Sequence, residues 1–322
     1  MAIDLLNLSP TVVSRDLRGK YVLLYAKPKT GKTSFCVQAP KNLLVAFERG
    51  YNAHAGIMAQ PIEKWSEFKQ LLRQLHNDAV KEKFYTISID TATIAYQKCV
   101  EYICIQNGVS KIGDIPYGAG YAAVKQEFEN SLREITMLGY GLILTAHVAT
   151  RTEMVADGSE VEFLAPDLDK RAYSIINGLV DVIGYISNDF DAEGNSHRYL
   201  YTHATPTIMA GTRFPALSRK IPFSYQNFAD ELAKAIEQAG GEGQIIDAPI
   251  ELVTNAPDFQ ELREEAKQLW VQLIEENEDN AALILHKLEQ AFGKPTKLSE
   301  ITPAQVDLLE LAVIDMRDMV KK

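Results

Sequence analysis

The stretch "AKPKTGKTS" at residues 26–34 follows the apolar run "KYVLLYA" (20–26) and runs into "GKTSFCVQA" (31–39), a short helix stopped by Pro40. Strand, tight lysine- and glycine-bearing turn, then helix is an order that aims successive backbone N–H groups at an anion. The pattern is that of a phosphate loop, G-x-x-x-x-G-K-[ST], with Ala26 in place of the first glycine. Lys32 suits the β- and γ-phosphates of a nucleotide, and the Thr33 hydroxyl suits Mg²⁺. Lys29, Thr30, Gly31, Lys32, Thr33 and Ser34 are therefore the expected nucleotide-binding residues, with Mg²⁺ at the Thr33 hydroxyl. A Cβ at Ala26 is tolerated if its φ is negative. Because Ala26 precedes the phosphate-holding amides, an altered turn is expected rather than a lost site. Lys27 and Lys29 either raise the local potential or are solvated loop lysines.

Further apolar runs continue the alternation. "NLLVAF" (42–47), "KFYTISI" (83–89) and "GLILTA" (141–146) read as strands. "EKWSEFKQLLRQLHNDAV" (63–80) places Trp65, Phe68, Leu71, Leu72 and Leu75 at helical spacing, and Val124, Phe128, Leu132, Ile135 and Leu138 form a second helical stripe. The runs "LVDVIGYIS" and "RYLYTH" flank the turn-like "DAEGNS" and read as an antiparallel hairpin. The fold expected is α/β, with a mostly parallel sheet, an antiparallel hairpin at one edge and a helical C-terminal domain. The domains expected are a core over 1–240, a linker over 241–257 and an acidic helical unit over 258–322. Asp258 with Glu261, and Thr302 with Pro303 and Gln305, mark two helix starts in that last unit.

Ligands of such sheets bind beyond the carboxyl ends of the parallel strands. The second, third and fourth strands end at Glu48, Asp90 and His147, so one rim receives the phosphate loop, two carboxylates and an imidazole. Asp90 suits the carboxylate that supports Mg²⁺ through a bound water, or caps the helix after it, a role equally open to Thr91. Glu48 is placed to polarise an attacking water, or is a solvated loop glutamate. His147 is a candidate for sensing the γ-phosphate or for catalysis, and spacing does not separate these from a hydrogen-bonded structural histidine.

Charge excludes little. The chain of 322 residues carries a net charge of −10, but residues 241–322 hold 17 acidic and 8 basic side chains, leaving 26 and 25 in 1–240. A near-neutral core can present a basic face. The acidic tail is a candidate competitor for that face, or simply a solubilising or oligomerising module. No run approaches the length of a membrane span, and the start lacks the layout of a signal peptide. Three cysteines without a C-x-x-C pair fit a reducing cytoplasm.

The blocks "YVLLYAKPKTGKTS", "LLVAFERG", "YTISIDTAT", "DIPYGAGYAAVKQEF" and "LILTAHVATRTE" resemble, in succession, those of the RecA-like ATPases of bacteriophages, short recombinases with single-strand annealing activity. The resemblance spans about residues 20 to 215 and omits the helical tail. It implies a RecA-like P-loop core, ATP with Mg²⁺, assembly into a ring or filament, single-stranded DNA as partner, and a bacterial host cytoplasm. By position it implies Lys32 and Thr33 as the phosphate-loop pair, Asp90 on the metal side, Glu48 as water activator and His147 as γ-phosphate sensor. Arg213 resembles a basic residue that reaches a nucleotide across a subunit boundary.

Two loops are candidates for holding DNA: 108–121, with Lys111, Tyr117 and Tyr121, and 149–171, with Arg151, Lys170 and Arg171. Unspecific single-strand binding needs cations for phosphates and aromatic faces for bases, multiplied by repetition in an oligomer. The alternatives are a nucleotide-gated switch whose helical tail docks a partner, such as a single-strand-binding or replication protein, and a motor subunit.

Overall fold

The computed structural model describes residues 13–154, 158–190, 193–239, 245–246 and 258–320. In chain order the elements that position the site are β1 (Tyr21–Ala26), α1 (Lys32–Gln38), β2 (Asn42–Ala46), α2 (Trp65–Leu75), β3 (Thr86–Asp90), α3 (Ala92–Gln106), α4 (Ala119–Met137), β4 (Gly141–Met154), β5 (Glu160–Pro166), α5 (Lys170–Leu179), β6 (Val182–Phe190), β7 (Ser196–Tyr201), β8 (Lys220–Pro222) and α6 (Tyr225–Ala239).

The sheet order is β8-β7-β6-β1-β4-β3-β2, closed at the far edge by the short strand Ala59–Pro61. Pairing is parallel from β6 to that edge and antiparallel through β6, β7 and β8. The expected α/β architecture, with a mostly parallel sheet and an antiparallel edge hairpin, is thus present. Every residue of β1 is buried, as an apolar run covered on both faces requires. The β1 strand lies between β4 and β6, one strand away from β3, so the phosphate loop and Asp90 emerge with β4 between them.

Helices cover both faces. On one, Phe35 of α1 meets Phe228 of α6 at 5.7 Å between ring centroids, over buried Leu24, Leu44 and Ile186. On the other, Trp65 of α2 lies 5.8 Å from Phe128 of α4, which Tyr96 of α3 meets edge-on at 5.2 Å. Trp65 and Phe128 belong to the helical stripes legible in the sequence, and their burial together with Tyr96 holds α2, α3 and α4 as one layer.

Three expectations are corrected. The fourth strand does not end at His147: its parallel pairing with β1 stops there, at Ala26↔His147, but β4 runs on to Met154 and folds back as β5. The polar segment expected as a loop over 149–171 is therefore a two-stranded ribbon followed by α5, because alternate residues of its second strand, Val161, Phe163 and Ala165, are less exposed than Glu160 and Glu162 between and before them, at strand period. The glycine-rich loop expected over 108–121 is two short 3₁₀ turns, Ile112–Asp114 and Pro116–Gly118, and Tyr121 already stands in the first turn of α4.

The chain divides into two compact units. Among the described residues, the second holds α7 (Phe259–Glu276), α8 (Asn280–Phe292) and α9 (Val306–Val320) around Leu262, Leu273, Ile284, Leu288, Leu309 and Met316. Asp258 caps α7 by accepting from Gln260 N and Glu261 N. Thr302 and Gln305 form the capping box expected before α9. Of the linker expected over 241–257, only Ile245–Ile246 is described; it pairs in parallel with Val13–Ser14, and the rest lies outside the described residues. No described helix is long and apolar enough to cross a membrane.

Candidate functional site

The phosphate loop leaves β1 through Ala26, whose place in the strand gives it the negative φ that a Cβ needs. The left-handed positions fall later, at Lys29 (φ 63°) and Gly31 (φ 103°). Gly31 is the residue before α1, so the first helical amides open onto the loop. The loop is tied internally: Thr30 Oγ1 donates to Lys27 O at 2.8 Å, and Lys32 Nζ donates to Ala26 O and Lys27 O at 3.2 and 3.1 Å. Lys32 is 7% exposed. Its burial pushes the ammonium below the usual lysine range, while the Asp90 and Glu48 carboxylates act in the opposite direction.

Thr33 Oγ1 donates to Asp90 Oδ2 at 2.8 Å. The other Asp90 oxygen accepts from Thr145 Oγ1 of β4 at 2.5 Å. Asp90 is buried and is therefore held by two hydroxyls. These oxygens fit a small hard cation. Space beside them is kept by Gly50, where a Cβ would lie 3.9 Å from Thr33 Oγ1 and 4.0 Å from Asp90 Oδ2.

Glu48 is drawn in by the backbone, since Phe47 N and Glu48 N both donate to Asp90 O, at 2.8 and 3.1 Å. Thr91 Oγ1 donates to Glu48 Oε1 at 2.9 Å, so Thr91 orients Glu48 and makes no side-chain cap to α3. Glu48 Oε2 lies 3.7 Å from His147 Nε2, each residue being about one-third exposed. His147 Nδ1 is buried without a hydrogen-bond partner among the described residues. His147 O accepts from Asp167 N at 2.8 Å, so the base of the β4–β5 ribbon is pinned beside the imidazole.

Lys29, Gly31, Lys32, Thr33, Ser34, Glu48, Asp90, Thr91 and His147 line one cleft of about 320 Å³. Thr30 is buried in the loop behind it. Nearly all the residues assigned to nucleotide, metal and water from the sequence thus converge. The exception is Arg213: it lies at the opposite end of β1, donating to Asp181 Oδ1 at 3.0 Å and to Gly178 O at 2.8 Å, while Asp181 also accepts from Tyr21 N. The structure does not bring it to the cleft of its own subunit.

Sequence reasoning missed four contributors. His54 also lines the cleft, its Nε2 3.5 Å from Ser34 Oγ, and reaches it through the turn Gly50–Ala53. Thr145 had a signal, a hydroxyl inside the otherwise apolar "LILTA". Thr91 reads from the sequence only as a cap, although its hydroxyl serves Glu48. Arg198, on β7, reaches Thr30 O across the fold, which no local pattern announces.

The residues expected to meet DNA fall into a looser set. Tyr117 is fully exposed at φ 58°, and Lys111 and Lys170 are exposed. Arg171 lies 4.0 Å over the Tyr121 ring, joining the start of α5 to the start of α4. Arg151 donates to Leu168 O at 2.8 Å and lies 5.5 Å over Tyr173, so part of its donor capacity serves the ribbon itself.

The SPbeta prophage-derived uncharacterized protein YorG of Bacillus subtilis (strain 168) is 27% identical, over 99% of both chains. Among solved structures, a KaiC-like protein of Pyrococcus horikoshii OT3 aligns with a TM-score of 0.34 and 15% identity, over 57% of this chain and 78% of that one. The AAA domain model AAA_24 matches residues 18–214, which contain the phosphate loop, Glu48, Asp90 and His147, and the chain belongs to that family of P-loop nucleoside triphosphatases.

Proposed function

We propose that this chain is a Mg²⁺-dependent ATPase that binds and anneals single-stranded DNA during phage homologous recombination. The observation that carries it is the shared cleft, where a lysine, a hydroxyl, two carboxylates and an imidazole meet at the strand ends. In this reading the loop amides and Lys32 hold the β- and γ-phosphates, and Thr33 and Asp90 hold Mg²⁺, which neutralises charge on the phosphates. Glu48, held by Thr91, takes the proton of the water whose oxygen bonds to the γ-phosphorus as the bond to the ADP oxygen breaks. His147, beside Glu48 and at the base of the β4–β5 ribbon, relates the state of the nucleotide to that ribbon.

Support for the DNA part is the cation–aromatic pair Arg171–Tyr121 with exposed Tyr117, Lys111 and Lys170, which offer charge and a stacking face. The prophage relative supports the phage setting. Assembly into a ring or filament would multiply the sparse cations of one subunit. The test compares wild type and Lys32→Ala for ATP hydrolysis with and without single-stranded DNA, at stated salt. The expected result is DNA-stimulated hydrolysis that Lys32→Ala loses by a factor on the order of 10²–10³. Hydrolysis indifferent to DNA, together with no DNA retention, would remove the recombination reading and leave the ATPase.

A second reading, a nucleotide-gated switch, is favoured by one feature. The helical unit presents an apolar groove of about 560 Å³ lined by Trp270, Val271, Leu285 and Leu288 between Lys267 and Lys297. Its signature would be ATP-dependent association with a protein, without response to DNA.

A further inference from the structure

We infer that Arg198 is a positioning residue of the phosphate loop, bracing it from outside so that Gly31 N–H is presented more strongly to a polyphosphate. The inference rests on the nucleotide-binding reading and extends it to a residue from the far side of the sequence.

The carbonyls of the loop are tied by groups of different origin. Lys27 O accepts from Thr30 Oγ1 and from Lys32 Nζ, and Ala26 O from Lys32 Nζ, all inside the loop. Thr30 O instead accepts from Arg198 Nη1 at 3.2 Å, across 168 residues. The Arg198 side chain reaches it because Gly31 has none: a Cβ there would lie 2.8 Å from Arg198 Nη1 and 3.4 Å from Phe223 Cε1. Gly31 therefore meets two demands at once, its positive φ and the passage of the guanidinium.

Arg198 is itself fixed. Phe223 N donates to Arg198 O at 2.9 Å, and the guanidinium lies 5.8 Å from the centre of the Phe223 ring. Phe223 stacks on Phe35 of α1 at 5.5 Å and 14°. The edge hairpin, the loop and the first helix thus form one packed unit around the arginine.

Three consequences follow for phosphate binding. The Thr30–Gly31 peptide is trans, so fixing its carbonyl toward Arg198 sends the Gly31 N–H the opposite way, and Gly31 lines the cleft. A charged donor on the carbonyl also polarises that N–H, since hydrogen bonds in a chain strengthen one another. The guanidinium adds a fixed positive charge from behind the loop to those of Lys27, Lys29 and Lys32 within it. All three favour a ligand with phosphates seated in the loop, and none favours a nucleoside monophosphate that does not fill it.

The test uses the full-length protein as wild type, Arg198→Ala, Arg198→Lys and Lys32→Ala. Affinities for ATP, ADP and AMP are measured by calorimetric titration, with the thermal midpoint of each protein without nucleotide. Removing a charged donor is expected to weaken ATP and ADP about tenfold. AMP affinity should be unchanged, and Arg198→Lys should recover part of the loss because it keeps a cation on a stem of similar reach. If Arg198→Ala folds poorly, Arg198→Lys carries the comparison through its ATP-to-AMP affinity ratio, expected below wild type. An Arg198→Ala protein that binds ATP like wild type while Lys32→Ala does not would overturn the role of Arg198 and leave the nucleotide site standing. Equal losses for ADP and AMP, or a wild-type ATP-to-AMP ratio in Arg198→Lys, would also overturn it. A wild type that binds no ATP would sink the nucleotide reading itself.

Discussion

Glu48 owes its position to groups that do no chemistry. Two backbone amides near Asp90 O place its main chain, and the Thr91 hydroxyl sets its carboxylate 3.7 Å from His147. Glu48→Gln keeps those contacts but loses the base, so ATP binding should persist while hydrolysis falls by about 10²–10⁴, read in single-turnover assays. Asp90→Asn should instead raise the Mg²⁺ concentration needed for half-maximal hydrolysis, since it removes the charge beside Thr33. A second buried lysine has a different fate. Lys20 donates to Ser14 O and Asp16 O, and burial pushes its ammonium down to about 8 from 10.5. Between those pH values the unfolded chain holds a proton that the folded chain has lost, so this group's contribution to stability rises with pH. Urea midpoints at pH 8 and 10 should show that rise in wild type and lack it in Lys20→Met.

Among the elements, β1 sets the tolerances. Gly184 of β6 lies against it, and a Cβ at Gly184 would stand 2.6 Å from Leu200 Cδ1 and 3.1 Å from Leu24 Cδ2, both on fully buried leucines. Gly184→Ala should therefore cost about 1–3 kcal/mol in chemical denaturation, because neighbours on both sides must shift in a close-packed core. The β4–β5 ribbon carries the opposite expectation. It continues past the last parallel pair, Ala26↔His147, and its outer residues are exposed. Replacing it with a short turn should leave ATP affinity intact and remove the response to single-stranded DNA, a separation visible by measuring both on one variant.

At the scale of the molecule, two compact units have separate cores, one built on a sheet with helices on both faces and the other on three helices. A ligand that binds one folded unit stabilises that unit by mass action, about 2.7 kcal/mol at a concentration of 100 Kd. Calorimetry with MgATP at that concentration should raise the transition of the larger unit by roughly 5–10 °C and leave that of the helical unit in place. A shift of both would show that the two unfold as one.

The parallel strands, the phosphate loop and the carboxylates at the strand ends were legible because each is a local pattern: apolar runs of strand length, a glycine–lysine–threonine turn, and the next polar residue after each run. The helix starts at Asp258 and Thr302 were legible for the same reason, since caps act within three residues. The ribbon after His147 was not, because its apolar alternation is diluted by charges and only its partner strand settles the register. Nor were Arg198 behind the loop, Thr91 on Glu48, or the distance of Arg213 from the cleft. Sequence order by itself determined which chemical groups stand at the strand ends; the tertiary structure decided which of them touch, because hydrogen bonds act over about 3 Å and only packing brings distant residues within that range.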